Sequence, residues 1–234
     1  MPFSFDIPLT QRVAMLNRQF DGASAQDMLR AILSGRAGKI ALVSSFGAES
    51  VVLLHMVSEL DPATDIVFLD TLKLFRATTL YQKDVAKHLG LTNVHTVSPD
   101  TNELLVQDNE GLLHQSDTTA CCRLRKVEPL TKALGAFDGW ISGRKRHQTK
   151  HRQEMPIWED DGFGRLKLNP LATWSAEDLR DYITDHNLPR HPLATRGLPS
   201  IGCEPCTTRP KPELDPRSGR WSGTQKTECG IHLK

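Results

Sequence analysis

The sequence predicts a doubly wound α/β fold with a mostly parallel sheet and a loop-rich C-terminal extension. Short apolar runs alternate with segments of helical length through most of the chain. The runs end in small or polar residues, and the final stretch is dense in proline. Alternating strands and helices point to a parallel sheet wrapped by helices.

The elements follow in order. Val13, Leu16 and Phe20, then Met28, Leu29, Ile32 and Leu33, make the N-terminal region helical. Ile40–Val43 is the first strand, ending in Ser44 and Ser45, and a helix without a breaker runs from Ser50. Thr64–Asp70 is a second strand, Phe75–His88 a helix stopped by Gly90, and Asn93–Pro99 a third strand. Arg123–Gly135 reads as a helix interrupted by Pro129, and Gly139–Gly143 as a fourth strand. Ser175 with Asp178 forms a capping-box start for a helix to about Asp185. Beyond Asn187, Pro189, Pro192, Pro199, Pro205, Pro210, Pro212 and Pro216 forbid long regular elements. This places the α/β domain at residues 1–186 and the extension at 187–234.

Composition narrows the function. The 234 residues carry 29 Lys+Arg against 28 Asp+Glu, a net charge of +1, which argues against a nucleic-acid partner. The N-terminus lacks a signal-peptide pattern, and no apolar run approaches the roughly 20 residues of a membrane helix. A soluble, cytoplasmic protein with no membrane association is expected; the sequence leaves homo-oligomerisation open.

Five cysteines is an odd number without a disulfide spacing, so metal binding or catalysis is expected. Cys121 and Cys122 are adjacent, and Cys203 and Cys206 have the C-x-x-C spacing of a turn that aims both sulfurs at one centre. Neighbouring cysteines diverge by only about 100° on a helix, so a helix start lets both serve one site. Four gathered thiolates need a metal to neutralise them. Zinc and an iron–sulfur cluster both satisfy that, and spacing alone does not choose. Cys229 stands apart in the terminal ECGIHLK, where Gly230 frees the tail, and suits a mobile nucleophile.

Anion binding is expected at the carboxyl ends of the strands. Ser44, Ser45, Phe46 and Gly47 open SSFGAES, a strand-to-helix turn that lets backbone N–H groups approach an anion without being a Walker loop. Asp70 and Thr71 end the second strand; Gly143, Arg144 and Arg146 open the basic GRKRHQTKHR after the fourth. Arg217 and Arg220 bracket a Ser-Gly in the extension, and guanidinium forks suit phosphate and sulfate. Solvated surface charge is the plainer account of such basic runs; their position at strand ends favours substrate contact.

Taken together, SSFGAES, FLDTLKLF, CCRLRKVEPL, WISGRKRHQ, LPSIGCEPCT, the Arg217–Arg220 stretch and ECGIHLK resemble the assimilatory APS/PAPS reductase family over nearly the whole chain. The resemblance implies an adenine nucleotide alpha hydrolase-like fold and thioredoxin-dependent reduction of adenylyl sulfate (APS) to sulfite and AMP. It also implies a 4Fe–4S cluster on Cys121, Cys122, Cys203 and Cys206, a role found on the APS-using side of the family. Cys229 would carry the sulfo group as S-sulfocysteine, and thioredoxin or glutaredoxin would supply the electrons. The cluster's expected role is electrostatic and structural, with Lys126, one helical turn from Cys122, between it and the substrate. His232, three residues past Cys229, would contact substrate, assist the thiolate or be a plain tail residue. Two departures stand out: LDTL where the family has LDTG, at Leu72, and Arg76-Ala77 where Pro-Glu is usual. Glycine at the first site would permit a positive φ and close backbone approach.

Competing readings are the same chemistry on the 3′-phosphorylated substrate (PAPS), a zinc-binding PP-loop enzyme that adenylates its substrate, and an iron–sulfur redox sensor. The last leaves the anion loop and the basic strand end unexplained, and the second has no need of Cys229.

Overall fold

The computed structural model describes residues 2–210, 217–221, 226 and 228–232. Pro212, Pro216 and the last two residues of ECGIHLK lie outside the described residues. Six strands form one sheet: β1 (Ile40–Ser44), β2 (Asp65–Leu69), β3 (Val94–Val97), β4 (Gly139–Ser142), β5 (Trp158–Asp160) and β6 (Leu166–Leu168). Their order is β3-β2-β1-β4-β6-β5, parallel throughout except that β5 pairs antiparallel with β6. The chain winds outward from β1 to β3, then returns to lay β4 on the other side of β1. Loops leaving β1 and β4 therefore diverge, opening the crevice in which doubly wound sheets bind ligands.

The nine α-helices of the described residues are α1 (Leu9–Gln19), α2 (Ala25–Ile32), α3 (Ser50–Ser58), α4 (Arg76–His88), α5 (Thr101–Gln107), α6 (Leu113–Ser116), α7 (Thr118–Cys122), α8 (Glu128–Leu134) and α9 (Ala176–Asp185). α3 buries Val51, Val52, Leu53, Leu54, Met56 and Val57. Full burial of each such side chain stabilises by roughly 1.5–3 kcal/mol, so the helix behind the β1 loop is firmly seated. One core cluster joins α2, α3 and α9 to the sheet; on the other face Leu130 and Leu134 of α8 pack on Ala41, Val67, Leu69 and Trp140. The capping box at Ser175 and Asp178 is present.

The helix expected from Arg123 differs in two ways. It begins earlier, at Thr118, where the Asp117 carboxylate accepts from the Thr119 and Ala120 N–H groups at 2.9 Å each. Pro129 does not interrupt it: α7 passes through a π-helical segment, Arg123–Val127, straight into α8. Proline offers no N–H to the carbonyl four residues back and crowds it, and the wider π-turn accommodates both defects. β5, β6, α5 and α6 have no counterpart in the sequence reading. The two strands are three residues each, and α5 and α6 bury none of their residues, so no periodic apolar stripe marks them.

Beyond Asn187 the described residues form only loops, one-turn helices and isolated bridges. The loop is tied to α4: Tyr81 Oη donates to the Pro189 carbonyl at 2.7 Å, and His191 Nε2 lies 3.1 Å from Thr78 Oγ1. His191 Nδ1 accepts from the Leu193 N–H at 3.1 Å, so the neutral ring carries its proton on Nε2. Burial pushes the His191 pKa down from 6.5 to about 4. The unfolded chain therefore takes up a proton that the folded one refuses, and stability falls as pH drops from 6.5 toward 4. Thermal midpoints measured at stepped pH should decline across that window, and His191→Gln should make the decline shallower.

Candidate active site

Six segments converge on one cavity of about 220 Å³ at the carboxyl ends of β1, β2 and β4. The β1 loop turns sharply at Phe46, whose φ of 46° is a left-handed value that costs a non-glycine residue roughly 1–2 kcal/mol. Complete burial of its ring, edge-on to Phe68 at 5.3 Å, offsets that strain. Ser44 Oγ accepts from the Phe46 N–H at 3.2 Å and Ser50 Oγ from the Gly47 N–H at 3.0 Å, which fixes the loop ahead of α3.

After β2, Leu72 has a φ of 56° and is 55% exposed. The glycine-like conformation expected from LDTG is thus kept although a side chain stands there. Its N–H donates to Asp70 Oδ1 at 2.9 Å. Thr71 is buried, with Oγ1 3.2 Å from Cys203 Sγ, and its carbonyl accepts from Arg125 Nη1 at 3.0 Å. Leu74 bridges Cys203, and the Glu204 N–H donates to the Lys73 carbonyl at 2.8 Å, so the β2 loop and the C-x-x-C loop are joined edge to edge.

After β4, Arg144, Lys145 and Arg152 are all buried, and each has an acidic partner. Arg144 pairs with Glu159, and Lys145 Nζ lies 2.6 Å from Glu49 Oε2. Arg152 grips Glu228 with two parallel bonds of 2.6 and 2.7 Å. Burial, then the charge of Arg152, lowers the Arg144 pKa to about 10.

The Arg217–Trp221 turn is pinned to the C-x-x-C loop. The Thr208 N–H donates to the Gly219 carbonyl at 2.8 Å, and the Trp221 N–H to the Cys206 carbonyl at 3.0 Å. Arg220 lies over the Trp221 ring at 4.7 Å and passes so close to Gly202 that a Cβ there would stand 2.0 Å from its Nη2. The tail enters last. Its one-turn helix, Gly230–His232, packs on the π-helical segment, and a Cβ at Gly230 would meet Val127 at 3.0 Å. His232 stacks on Trp140 with 10° between the rings. Burial, then the positive charge of Lys167 and Arg144, holds its pKa well below 6.5, so the imidazole is neutral.

Of the residues expected at the site, Ser44, Ser45, Gly47, Thr71, Lys126, Gly143, Arg144, Arg217, Arg220, Cys229 and His232 line this cavity. Three do not. The Phe46 ring points into the core, the Asp70 carboxylate caps its own turn, and Arg146 Nε donates to the Met155 carbonyl at 2.9 Å. Lys145, Gln148, Arg152, Glu49, Trp140 and Glu228 line it without having been singled out. Which members of GRKRHQTKHR turn inward is set by two one-turn helices, Arg146–Gln148 and Lys150–Arg152, that no sequence periodicity announces.

Cys121, Cys122, Cys203 and Cys206 line a second, smaller chamber with Arg125, Lys126 and Trp221. Lys126 and Trp221 border both spaces, so Lys126 stands between the four thiols and the larger cavity. Burial, then the charge of Cys122, pushes the Cys121 thiol up to about 11. Burial, then Cys203, likewise raises Cys206. Burial works to lower the Lys126 pKa, but negative charge at Cys229 and Cys203 outweighs it and the net shift is upward. Arg125 is held bidentate by the buried Asp108, at 3.1 and 2.6 Å. Among the described residues, no three His, Cys, Asp or Glu side chains are grouped to hold a metal ion. All five cysteines are free of disulfides.

Comparison with known proteins places this geometry in context. A profile of the phosphoadenosine phosphosulfate reductase domain matches residues 39–209. An adenosine 5'-phosphosulfate reductase of Mesorhizobium japonicum is 48% identical over 195 residues, 83% of this chain and 76% of its own. One from Mycolicibacterium smegmatis is 39% identical over 90% of this chain and 89% of its own. The crystal structure of a phosphoadenylyl-sulfate (PAPS) reductase from Candida auris, in a phosphate complex, superposes with a TM-score of 0.73 at 26% identity, covering 85% of this chain and 97% of that one. An FMN adenylyltransferase from Candida glabrata, at 16% identity and a TM-score of 0.55 over 86% of this chain and 67% of its own, shares the fold alone.

Gly202→Ala tests the placement of Arg220. The obstructed atoms are the far end of a flexible side chain, so the thermal midpoint should barely move. Displacing the guanidinium from the Trp221 ring should shift the indole fluorescence emission relative to the parent protein.

Proposed function

Because this chain belongs to the phosphoadenosine phosphosulfate reductase domain family, we propose that it reduces adenylyl sulfate to sulfite and AMP with Cys229 as nucleophile. One observation carries the site assignment: Cys229 opens onto the same cavity as the Ser44–Gly47 turn, Lys126, Arg217 and Arg220. The relatives named for the adenosine phosphosulfate are 48% and 39% identical, against 26% for the structure named for the 3′-phosphorylated compound, which favours APS as substrate.

In this reading the Cys229 thiolate attacks the sulfate sulfur. A sulfur–sulfur bond forms, the bond to the phosphate oxygen breaks, and AMP departs with that electron pair. A thioredoxin thiolate then attacks the Cys229 sulfur; sulfite leaves with the electrons of the sulfur–sulfur bond, and a mixed disulfide forms. The second thioredoxin thiol resolves it, so the dithiol supplies the two electrons. A glutaredoxin dithiol serves the same chemistry.

Lys126 and Arg220 bring positive charge to the neighbourhood of Cys229, which screens the approach of an anionic substrate. The β1 turn at the N-terminus of α3 offers hydroxyls and backbone N–H groups to phosphate oxygens. The neutral His232 ring presents a hydrogen-bonding nitrogen rather than a charge. Arg144 acts mainly by holding the wall, since its guanidinium is committed to Glu159 and Asn169.

Cys121, Cys122, Cys203 and Cys206 would hold a 4Fe–4S cluster. Burial and mutual repulsion raise the Cys121 and Cys206 thiols, and a cationic metal centre removes that penalty. An all-sulfur donor set suits iron–sulfur or zinc; the family favours the cluster. When bound it supplies an electrostatic and structural centre on the far side of Lys126. Residues 1–186 then form the nucleotide-holding body, and 187–234 contribute two cluster ligands, two arginines and the nucleophile. Five unpaired thiols suit a reducing, cytoplasmic compartment, and no helix of the described residues is long and apolar enough to cross a membrane.

Sulfite release by the anaerobically purified protein, with reduced thioredoxin and either APS or PAPS, tests the assignment. APS is expected to be the working substrate. Cys229→Ser should lower turnover by at least about a thousandfold while leaving the visible band of the cluster intact. Undiminished sulfite release by that variant would remove Cys229 from the mechanism.

A further inference from the structure

We propose that Glu228 is the positioning residue that seats the nucleophile: its carboxylate, gripped by Arg152, latches Cys229 inside the cavity. The inference rests on Cys229 being the nucleophile, and it assigns Glu228 a role exerted through the backbone of its neighbour.

The described tail residues beyond Cys229 are held by packing, Ile231 on the core beneath α8 and His232 on the Trp140 ring, neither of which engages the Cys229 backbone. Among the described tail residues the regular structure is one short turn, closed by the His232 N–H donating to the Cys229 carbonyl at 3.1 Å. An isolated turn of that length has no stability of its own. Glu228, by contrast, is 5% exposed and receives both arms of a guanidinium that is itself 5% exposed. A carboxylate is drawn into such a place only by a partner that replaces its hydration, and a parallel two-bond pair does so. The oxygen that accepts from Arg152 Nη2 also accepts the N–H of Cys229 at 2.8 Å. The latch therefore fixes the backbone of the residue that bears the reactive sulfur, not merely the chain nearby. Arg217 Nη2 adds a weaker approach at 3.9 Å.

Arg152 is held in turn. Its N–H donates to the Thr149 carbonyl at 3.0 Å, its Nη1 donates to Gln148 Oε1, and Gln148 Nε2 donates to Glu49 Oε2 at 3.1 Å. Glu49 belongs to the SSFGAES turn. One chain of hydrogen bonds thus runs from the anion loop after β1 to the backbone of Cys229. The nucleophile and the surface that receives the substrate's oxygens share a common frame.

The test uses the intact, anaerobically purified protein without substrate. Iodoacetamide labelling of Cys229 is followed by mass spectrometry of its peptide, and steady-state sulfite release is measured in parallel. Glu228→Gln keeps the shape and removes the charge. It should raise the Cys229 labelling rate on the order of tenfold to a hundredfold, and lower kcat with little change in KM for APS. Arg152→Gln should raise labelling similarly. Because the two act as one unit, the double variant should label no faster than the faster single variant. Labelling of Glu228→Gln at the parent rate would overturn the latch, as would effects that simply multiply in the double variant. Labelling reads the seat of the thiol irrespective of catalysis, so a failed latch is distinguishable from a failed catalytic assignment, which the Cys229→Ser variant reads.

Discussion

Enclosed positive charge is the constraint around which the rest of this molecule is arranged. Three cations of the loop after β4 are buried, and each pairs with an acid: the half-buried Glu159 and Glu49, and the fully buried Glu228. Removing one partner of a buried pair typically costs 3–5 kcal/mol, because the other charge is left without hydration. The three acids come from β5, the β1 loop and the tail. The basic loop therefore organises segments far apart in sequence, and the cavity inherits its shape from those pairings. Lys126 and Arg220 differ: their nearest balancing charges are sulfurs, those of Cys229 and the four-thiol chamber. Positive charge committed to carboxylates builds the wall; the rest faces the thiols.

The same distinction explains what could be read from the sequence. β1, β2 and β4 are buried almost throughout, so their apolar runs announced both the strands and the crevice beyond them. The cysteine pairs were legible because chemistry dictates them: few functions other than metal binding want four thiols at those spacings. Arg146 and Arg152 could not be sorted by sequence. Both lie in one basic stretch, and only the local turns decide that Arg152 faces inward while Arg146 binds the Met155 carbonyl. Phe46 stands within a turn that suggests substrate contact, yet its ring is buried in the core and it is absent from the cavity lining. Pro129 reads as a break in the sequence, whereas the helix absorbs it by widening.

That widening has a bearing on the site. The π-helical segment carries both Arg125 and Lys126, and their charges leave it in different directions. Arg125 is locked to Asp108 and the Thr71 carbonyl on the chamber side, while Lys126 borders both spaces. Successive residues on an α-helix diverge by about 100°, and a wider turn changes that angle. The tail's one-turn helix packs on this same segment, so the widening beside Pro129 also shapes the shelf on which the tail rests.

Leu72 holds a backbone conformation that glycine adopts freely and leucine does not, so the surroundings impose the shape of its loop. Those surroundings are chiefly the C-x-x-C segment, zipped to the loop through Leu74 and Lys73 and touched by Thr71 at Cys203. A strip of chain carrying Cys203 and Cys206 is thus also masonry for the loop that follows β2. On the proposed cluster assignment, filling the four-thiol chamber and bracing the wall of the larger cavity become one event, since the same strip of chain serves both.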